Sequence, residues 1–388
     1  MRDFEFFFPT KIVFGKDSFR RLAQDLPQFG KRVLFLYGRG SIKKSGLYGR
    51  IVELIRKNNI FAVEYGGIKP NPPLSQVFEA ISLARGFKPE FILAVGGGSV
   101  IDTAKAVACG YFSPERLWDF FEKKDWPVQA LPIVAIPTIS GTGSEVNDVT
   151  VIVNKEKRIK LSLRSPLLFP KAAYLDPTLT FSVPKNYTAY GVMDAFSHLF
   201  EYFHFRLHRE RGLPEDFLIL LMKTLLREGK RAFNEPEDYS ARSQIMWASA
   251  LALSPLVRSG LGSYRFFLHS LEHPLSGAFD LPHGLGLSIL MLAYLKTFGH
   301  YKRVRRFFLE VLEVPEGKDL TKRGLKAFEG LLKYFELPVS LRECGILRED
   351  LDLLIEKAWE ILFIWKAERE FDKDVVREIY TRAYEGRV

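Results

Sequence analysis

The chain has 388 residues, 47% hydrophobic and 26% charged, with 56 Lys and Arg against 46 Asp and Glu, a formal charge of +10. That length exceeds one ordinary core, so two domains of a globular protein are expected. The bases are mixed with acids, as in Arg305-Arg306-Phe307-Phe308-Leu309-Glu310, which favours a solvated charged surface over a nucleic-acid footprint and argues against a nucleic-acid partner. Two cysteines, Cys109 and Cys344, make no disulfide framework. No apolar run reaches transmembrane length, and Met1-Arg2-Asp3-Phe4-Glu5 lacks the pattern of a secretory signal. A cytoplasmic protein without a membrane partner is expected.

The first half alternates short apolar runs with amphipathic stretches, the pattern of an α/β domain. Residues 33–37 read as a buried parallel strand ending at Gly38-Arg39-Gly40-Ser41. A helix over Leu47–Lys57 and a strand over Phe61–Tyr65 follow; past Lys69-Pro70-Asn71-Pro72-Pro73 comes a helix over 75–85. The strand at 91–95 runs into Gly96-Gly97-Gly98-Ser99, and Ile133–Pro137 opens into Thr138-Ile139-Ser140-Gly141-Thr142-Gly143-Ser144. Beyond residue 184 long amphipathic segments take over, at 188–205, 216–232, 239–256, 265–275, 321–335 and 350–364. The expected organisation is an α/β domain over 1–184 and an all-helical domain over 185–388, with the active site in the cleft between them.

The glycine turns point to a cofactor. In Val95-Gly96-Gly97-Gly98-Ser99-Val100-Ile101-Asp102 glycine lets the backbone approach an anion, Ser99 is placed to cap the helix, and the helix N-terminus offers N–H groups to a phosphate. This is not the G-x-G-x-x-G fingerprint, and one such turn can be only a tight connection. Three Gly/Ser/Thr turns at strand ends that could share one sheet edge favour a dinucleotide, since open α/β sheets bind ligands at the carboxyl ends of their strands. The turn Gly38-Arg39-Gly40-Ser41 carries no carboxylate for a ribose 2′-hydroxyl, whereas Arg39, Ser41 and Lys43 suit a 2′-phosphate, so NADP is expected ahead of NAD.

The second half carries Asp194-x3-His198 and His269-x3-His273-x9-His283, the last within Pro282-His283-Gly284. Residues four apart share a helix face, so each pair can point at one ion. A carboxylate and up to three imidazoles, with no cysteine near, form an N/O ligand set for Fe²⁺ or Zn²⁺ with a coordination position left open for catalysis. Asp194 lies among Val192, Met193, Phe196, Leu199 and Phe200, where a carboxylate needs a partner. His204, His208 and His300 read as packed or surface residues, and Phe266, Phe267, Phe279 and Trp247 as core or pocket wall.

Taken together, these motifs and Gly141-Thr142-Gly143-Ser144-Glu145 resemble the iron-containing (group III) alcohol dehydrogenases. Leu36-Tyr37-Gly38-Arg39-Gly40-Ser41-Ile42-Lys43-Lys44 and Lys69-Pro70-Asn71-Pro72 look most like that family's butanol dehydrogenase and NADPH-dependent aldehyde reductase branch. The resemblance implies a Rossmann-like N-terminal domain and a helical C-terminal domain. It implies metal held by Asp194, His198, His269 and His283, with His273 left facing the substrate as the proton-transferring residue. It places Asn71, Gly97, Gly98, Ser99, Asp102, Thr138, Thr142 and Lys160 along the cofactor. It implies a small primary alcohol or aldehyde as substrate, and a homodimer in which Phe4-Glu5-Phe6-Phe7-Phe8 and Ile12-Val13-Phe14 form the pairing edge. The chain departs from the branch at Arg39, where a glycine is common, and over 255–267. The alternative on the same scaffold is a lyase or cyclase like dehydroquinate synthase. Its phosphate site needs several bases around the metal, and here only Arg265 is near.

Overall fold

The computed structural model describes residues 1–206 and 211–386; His208 lies outside them. The first half runs β1 (Lys11–Phe14), α1 (Ser18–Asp25), β2 (Arg32–Tyr37), α2 (Ser41–Lys44), α3 (Leu47–Lys57), β3 (Phe61–Tyr65), α4 (Leu74–Phe87), β4 (Phe91–Gly96), α5 (Gly98–Gly110), α6 (Leu117–Phe121), β5 (Ile133–Pro137), β6 (Val149–Asn154), β7 (Ile159–Arg164) and β8 (Ala172–Leu175). Helices follow: α7 (Lys185–His204), α8 (Leu213–Asn234), α9 (Tyr239–Leu253), α10 (Pro255–Arg258), α11 (Phe267–Phe279), α12 (His283–Phe298), α13 (Lys302–Glu310), α14 (Leu320–Tyr334), α15 (Asp350–Ile364) and α16 (Lys373–Glu385). Among the described residues no helix is long and apolar enough to cross a membrane. The chain forms two compact units: Phe7–Val183 with Pro236–Ser254, and Met1–Phe6 with Pro184–Glu235 and Pro255–Val388.

The first unit is built on a parallel sheet in the order β1-β8-β5-β4-β2-β3. Nearly every residue of β2 and all of β4 are buried, because a parallel sheet covered on both faces needs continuous apolar strands rather than alternating ones. From β2 the chain moves outward to β3, then returns to lay β4 on the other side of β2 and continues to β5. The order therefore reverses between β2 and β4, where the ends Tyr37 and Val95 are in register. Open α/β sheets bind ligands at such a switch point.

Two features of this unit depart from the sequence expectation. The antiparallel hairpin β6–β7 turns through Lys155-Glu156-Lys157-Arg158, with Arg158 at φ 50° and the Lys157 N–H donating to Asn154 Oδ1 (3.1 Å). It has none of the Gly or Asn-Gly signals by which a hairpin is read. Helix α9, placed by the 1–184/185–388 division in the helical domain, belongs to the α/β unit: its Met246 and Ala250 join Val146, Ala173 and Leu175 in one apolar cluster. Trp247 on the same helix is 39% exposed, edge-on to Phe14 at 6.0 Å, and so is not core.

In the helical unit α7 packs against α8 and α12. Residues Gly284–Leu295 of α12 are all buried; apolar on every side, this helix has no amphipathic period to read. Its approach to α7 is close enough that a Cβ on Gly284 would lie 2.0 Å from the Tyr190 carbonyl oxygen.

Gly284→Ala is expected to destabilise the protein by about 1–3 kcal/mol, because backbone cannot rotate out of the way. Gly330→Ala, within α14 and with nothing within 4 Å of its Cβ position, should stabilise by about 0.5–1 kcal/mol. Urea unfolding of the two variants beside the parent checks the opposite signs.

Candidate active site

At the carboxyl edge of the sheet the structure gathers the glycine turns. Gly97 is the N-cap of α5 and Gly98 its first residue, and the Val100 and Ile101 N–H groups donate to the Gly97 carbonyl. Ser99, expected to cap the helix, instead lies inside its first turn, and the cap has no side-chain hydrogen bond. The helix starts early because glycine permits a close pass: a Cβ on Gly98 would meet Thr142 Oγ1 at 2.4 Å. The Thr138 N–H donates to the Gly96 carbonyl (3.0 Å), and the Gly67 N–H to that of Gly38 (3.0 Å). Arg39, Gly40 and Ser41 are exposed beyond the end of β2. Lys43 Nζ lies over the Tyr48 and Tyr37 rings at 5.2 and 5.8 Å. The loop before α4 docks on the hairpin, where Lys160 Nζ donates to Asn71 Oδ1 (3.2 Å); both residues are buried and Asn71 has φ 48°. Ser144 Oγ–H donates to Asp102 Oδ1 (2.6 Å).

The helical unit gathers the second set. Helix α7 presents Asp194 and His198 on one face, α11 contributes His269, and α12 opens with His283 straight after Pro282. Asp194, His198 and His269 are buried, and one ligand-type atom from each lies within 4.8 Å of the others. His198 Nδ1 is 3.3 Å and His283 Nε2 3.8 Å from the same oxygen, Asp194 Oδ1. The imidazoles crowd one another, with ring centroids 4.3 Å apart for His198 and His269 and 5.2 Å for His269 and His283. Burial, followed by the neighbouring His269, holds His198 well below its ordinary pKa; the neutral ring is the form that donates a lone pair. His198 Nδ1 and His269 Nε2 are buried without a hydrogen-bond partner among the described residues, a cost of about 1–3 kcal/mol each unless something occupies them. This donor set fits a divalent cation.

His273 stands beside His283, and one ligand-type atom from each of His273, His283 and Glu272 also lies within 4.8 Å of the others. Its ring centroid is 6.5 Å from that of His269 and 5.9 Å from that of His283, and it stands edge-on to Trp365 at 5.3 Å. Phe266 lies edge-on over His269 (5.1 Å) and His198 (5.8 Å), backed by Tyr264 and Tyr202. Phe267 is core, stacked on Phe371 at 3.9 Å, and Phe279 is half-buried. His204 is packed, its Nε2 2.7 Å from the Tyr294 hydroxyl and its ring stacked on Phe200, while His300 is exposed.

Two residues escaped the sequence reading. Glu201, a turn beyond His198, meets His269 Nδ1 and the Leu268 N–H; Glu272 meets His283 Nδ1 and the Ser276 hydroxyl. Both carboxylates are fully buried. The available signal was an acid inside an apolar helical run, the argument already applied to Asp194.

A switch-point sheet for a dinucleotide and a buried N/O cluster on the same chain define a metal-dependent dehydrogenase or reductase. Residues 9–177 match the family model of the iron-containing alcohol dehydrogenases, and residues 188–384 that of the C-terminal part of the same family. The chain belongs to the iron-containing alcohol dehydrogenase family and is an NAD(P)-dependent alcohol dehydrogenase. It is similar to the NADH-dependent butanol dehydrogenase A of Clostridium acetobutylicum (35% identity, over 92% of this chain and 93% of the relative). It is also similar to the NADPH-dependent aldehyde reductase YqhD of Escherichia coli (31% identity, over 99% and 100%). Among solved structures, NADH-dependent butanol dehydrogenase A from Thermotoga maritima superposes with a TM-score of 0.93 at 36% identity, covering 99% of each chain.

Beneath the cofactor turns lies a third charged group. Lys105 is fully buried on α5, its Nζ donating to the Asn147 carbonyl (2.9 Å), Asn147 Oδ1 (2.8 Å) and the Val149 carbonyl (2.8 Å). Burial pushes Lys105 down to about 8, Glu145 up to about 7 and Asp102 up to about 6. A folded state that keeps a carboxyl protonated above its ordinary pKa loses stability as pH rises through the interval. Glu145 therefore takes stability away between about pH 4.5 and 7. Lys105, shedding its proton early, returns some between about pH 8 and 10.5. Thermal melting over a pH series should show Glu145→Gln losing less stability than the parent from pH 4.5 to 7; equal slopes would contradict the assignment.

Proposed function

We propose that this enzyme interconverts small aldehydes and primary alcohols with NADP(H) preferred over NAD(H). It does so with one divalent ion, Fe²⁺ or Zn²⁺, held by Asp194, His198, His269 and His283. The observation that carries the reading is the pair of buried, partnerless imidazole nitrogens in the group that Asp194 Oδ1 completes. A bound divalent ion supplies Lewis-acid polarisation of the substrate oxygen, and the reduced nicotinamide supplies hydride. Asp194 contributes negative charge and the three imidazoles contribute neutral donor nitrogens. His273, buried beside His283, moves the proton between the substrate oxygen and solvent, since imidazole titrates near neutrality. Phe266 and Tyr264 keep water from the cluster and favour an apolar substrate chain.

Gly97, Gly98 and Ser99 at the start of α5 receive the pyrophosphate, with Asn71, Asp102, Thr138, Thr142 and Lys160 around the rest of the cofactor. Gly38, Arg39, Gly40 and Ser41 take the adenosine end, with Arg39 and Lys43 countering a 2′-phosphate. The relatives' names divide between NADH and NADPH, so the preference rests on these exposed bases. The enzyme works as a cytoplasmic homodimer: β1 is an edge strand, Phe4, Phe6 and Phe7 are exposed, and an unpaired edge invites a second copy. The cyclase alternative has no support, since Arg265, the one base named for its phosphate site, is engaged by Glu370 (2.8 Å).

The test follows the near-ultraviolet absorbance of NADPH with butanal, before and after chelation and after adding Fe²⁺ or Zn²⁺. Chelation should abolish turnover and one of the two ions should restore it. His198→Ala and His269→Ala should lose both metal and turnover, whereas His273→Ala should keep its metal and slow by about 10²–10⁴-fold; loss of metal from that variant overturns the division of roles. Arg39→Ala should raise KM for NADPH about tenfold and leave that for NADH unchanged.

A further inference from the structure

We infer that Glu201 and Glu272 are positioning residues that fix the tautomers of His269 and His283, holding the proton of each ring on Nδ1 so that Nε2 is bare toward the ion. The inference rests on the metal reading of the cluster and adds to it the groups that prepare its ligands.

In a neutral imidazole one nitrogen carries the proton and the other the lone pair, and the partner of the first decides which is which. Glu201 meets Nδ1 of His269, and the opposite atom, Nε2, is the one buried without a partner. Glu272 meets Nδ1 of His283, and the opposite atom, Nε2, faces Asp194. In both rings the nitrogen turned away from a carboxylate is the nitrogen turned into the cluster. Both carboxylates are 0% exposed, so water does not compete for these bonds. Glu201 also anchors the helix that bears His269: it receives the Leu268 N–H in the first turn of α11, where no side chain of the helix itself provides a cap. A Cβ on Gly286 would lie 3.0 Å from Glu272 Oε1, so α12 passes close enough to confine that carboxylate.

The two sites differ in how they would tolerate an amide. Both oxygens of Glu201 receive N–H donors, so a glutamine there must turn its NH₂ toward one of them. Facing Leu268, it opposes a backbone N–H. Facing His269, it forces Nδ1 to accept and drives the ring proton onto Nε2, the atom the ion needs. Glu272 receives one imidazole and one hydroxyl, and the Ser276 hydroxyl has a second acceptor in the Leu281 carbonyl (3.0 Å). It can therefore accept from a glutamine NH₂ while the amide oxygen keeps its bond to His283.

The experiment measures Co²⁺ affinity by chelator competition, and the Co²⁺ visible absorption spectrum, for the full-length parent, Glu201→Gln, Glu272→Gln and Glu272→Leu, with far-ultraviolet circular dichroism as the folding control. Expected are about 10–100-fold weaker binding and an altered spectrum for Glu201→Gln and Glu272→Leu, and affinity within about threefold of the parent for Glu272→Gln, as its rearranged hydrogen bonds allow. Folded Glu201→Gln that binds Co²⁺ as the parent does, with the same spectrum, overturns the inference, as does Glu272→Gln weakened as far as Glu272→Leu. If Glu201→Gln fails to fold, unchanged affinity in Glu272→Leu overturns it alone. A parent that takes up no Co²⁺ rejects the metal reading itself, which separates the two failures.

Discussion

The helical unit depends on keeping three carboxylates, Asp194, Glu201 and Glu272, inside a packed apolar interior. A buried carboxylate is tolerated only when its charge is met by donors or by a cation. The groups that meet these three include imidazole nitrogens, a serine hydroxyl and a backbone N–H. Burial holds His198 well below its ordinary pKa, whereas at His269 burial is outweighed by the Glu201 carboxylate, which raises it. A divalent ion held there would add positive charge beside Asp194 and occupy the partnerless nitrogens of His198 and His269. With such an ion bound, the packing of α7, α11 and α12 and the affinity for it would be one free energy seen from two sides.

A steric constraint plays the corresponding part in the α/β unit. At the switch point β2 and β4 diverge in their onward connections, and the gap between their ends is usable only if backbone can approach it. A side chain on Gly98 would collide with Thr142, and one on Gly96 with Val100. The same economy brings Gly143, at φ 55°, to within 2.9 Å, measured from its Cβ position, of the Ser249 carbonyl on α9. The re-entrant helix thereby supports the turn that carries Thr142 and Ser144.

Local patterns were legible in the sequence where one period or one spacing carries the information. The buried strands β2, β4 and β5, the helices with a clear apolar stripe, and the spacing of Asp194 with His198 and of His269 with His283 are of this kind. What stayed hidden depends on partners distant in sequence. The allegiance of α9 is decided by Val146 and the strand β8, and the β6–β7 hairpin by a turn of charged residues in which Arg158 does what glycine usually does. The residue type of Ser99 suggests a cap, but helix registry is decided by Gly97. For Glu201 and Glu272 the roles depend on His269 and His283, which only the fold places against them.

The two units hold buried charge in contrasting ways, and the contrast separates scaffold from chemistry. Around Lys105 the network contains its own cation: one ammonium spends three donors on Asn147 and Val149 beside Asp102 and Glu145. Such a network is complete as folded and ties α5 to β6 beneath the cofactor turns. The histidine cluster is built the other way: buried carboxylates lie against imidazoles, and Nδ1 of His198 and Nε2 of His269 have no hydrogen-bond partner among the described residues. A group satisfied from within stabilises a fold, whereas one that requires a partner from solution selects a ligand. On that criterion the group around Asp194 and His269, rather than the network at Lys105, is the one built to select a ligand.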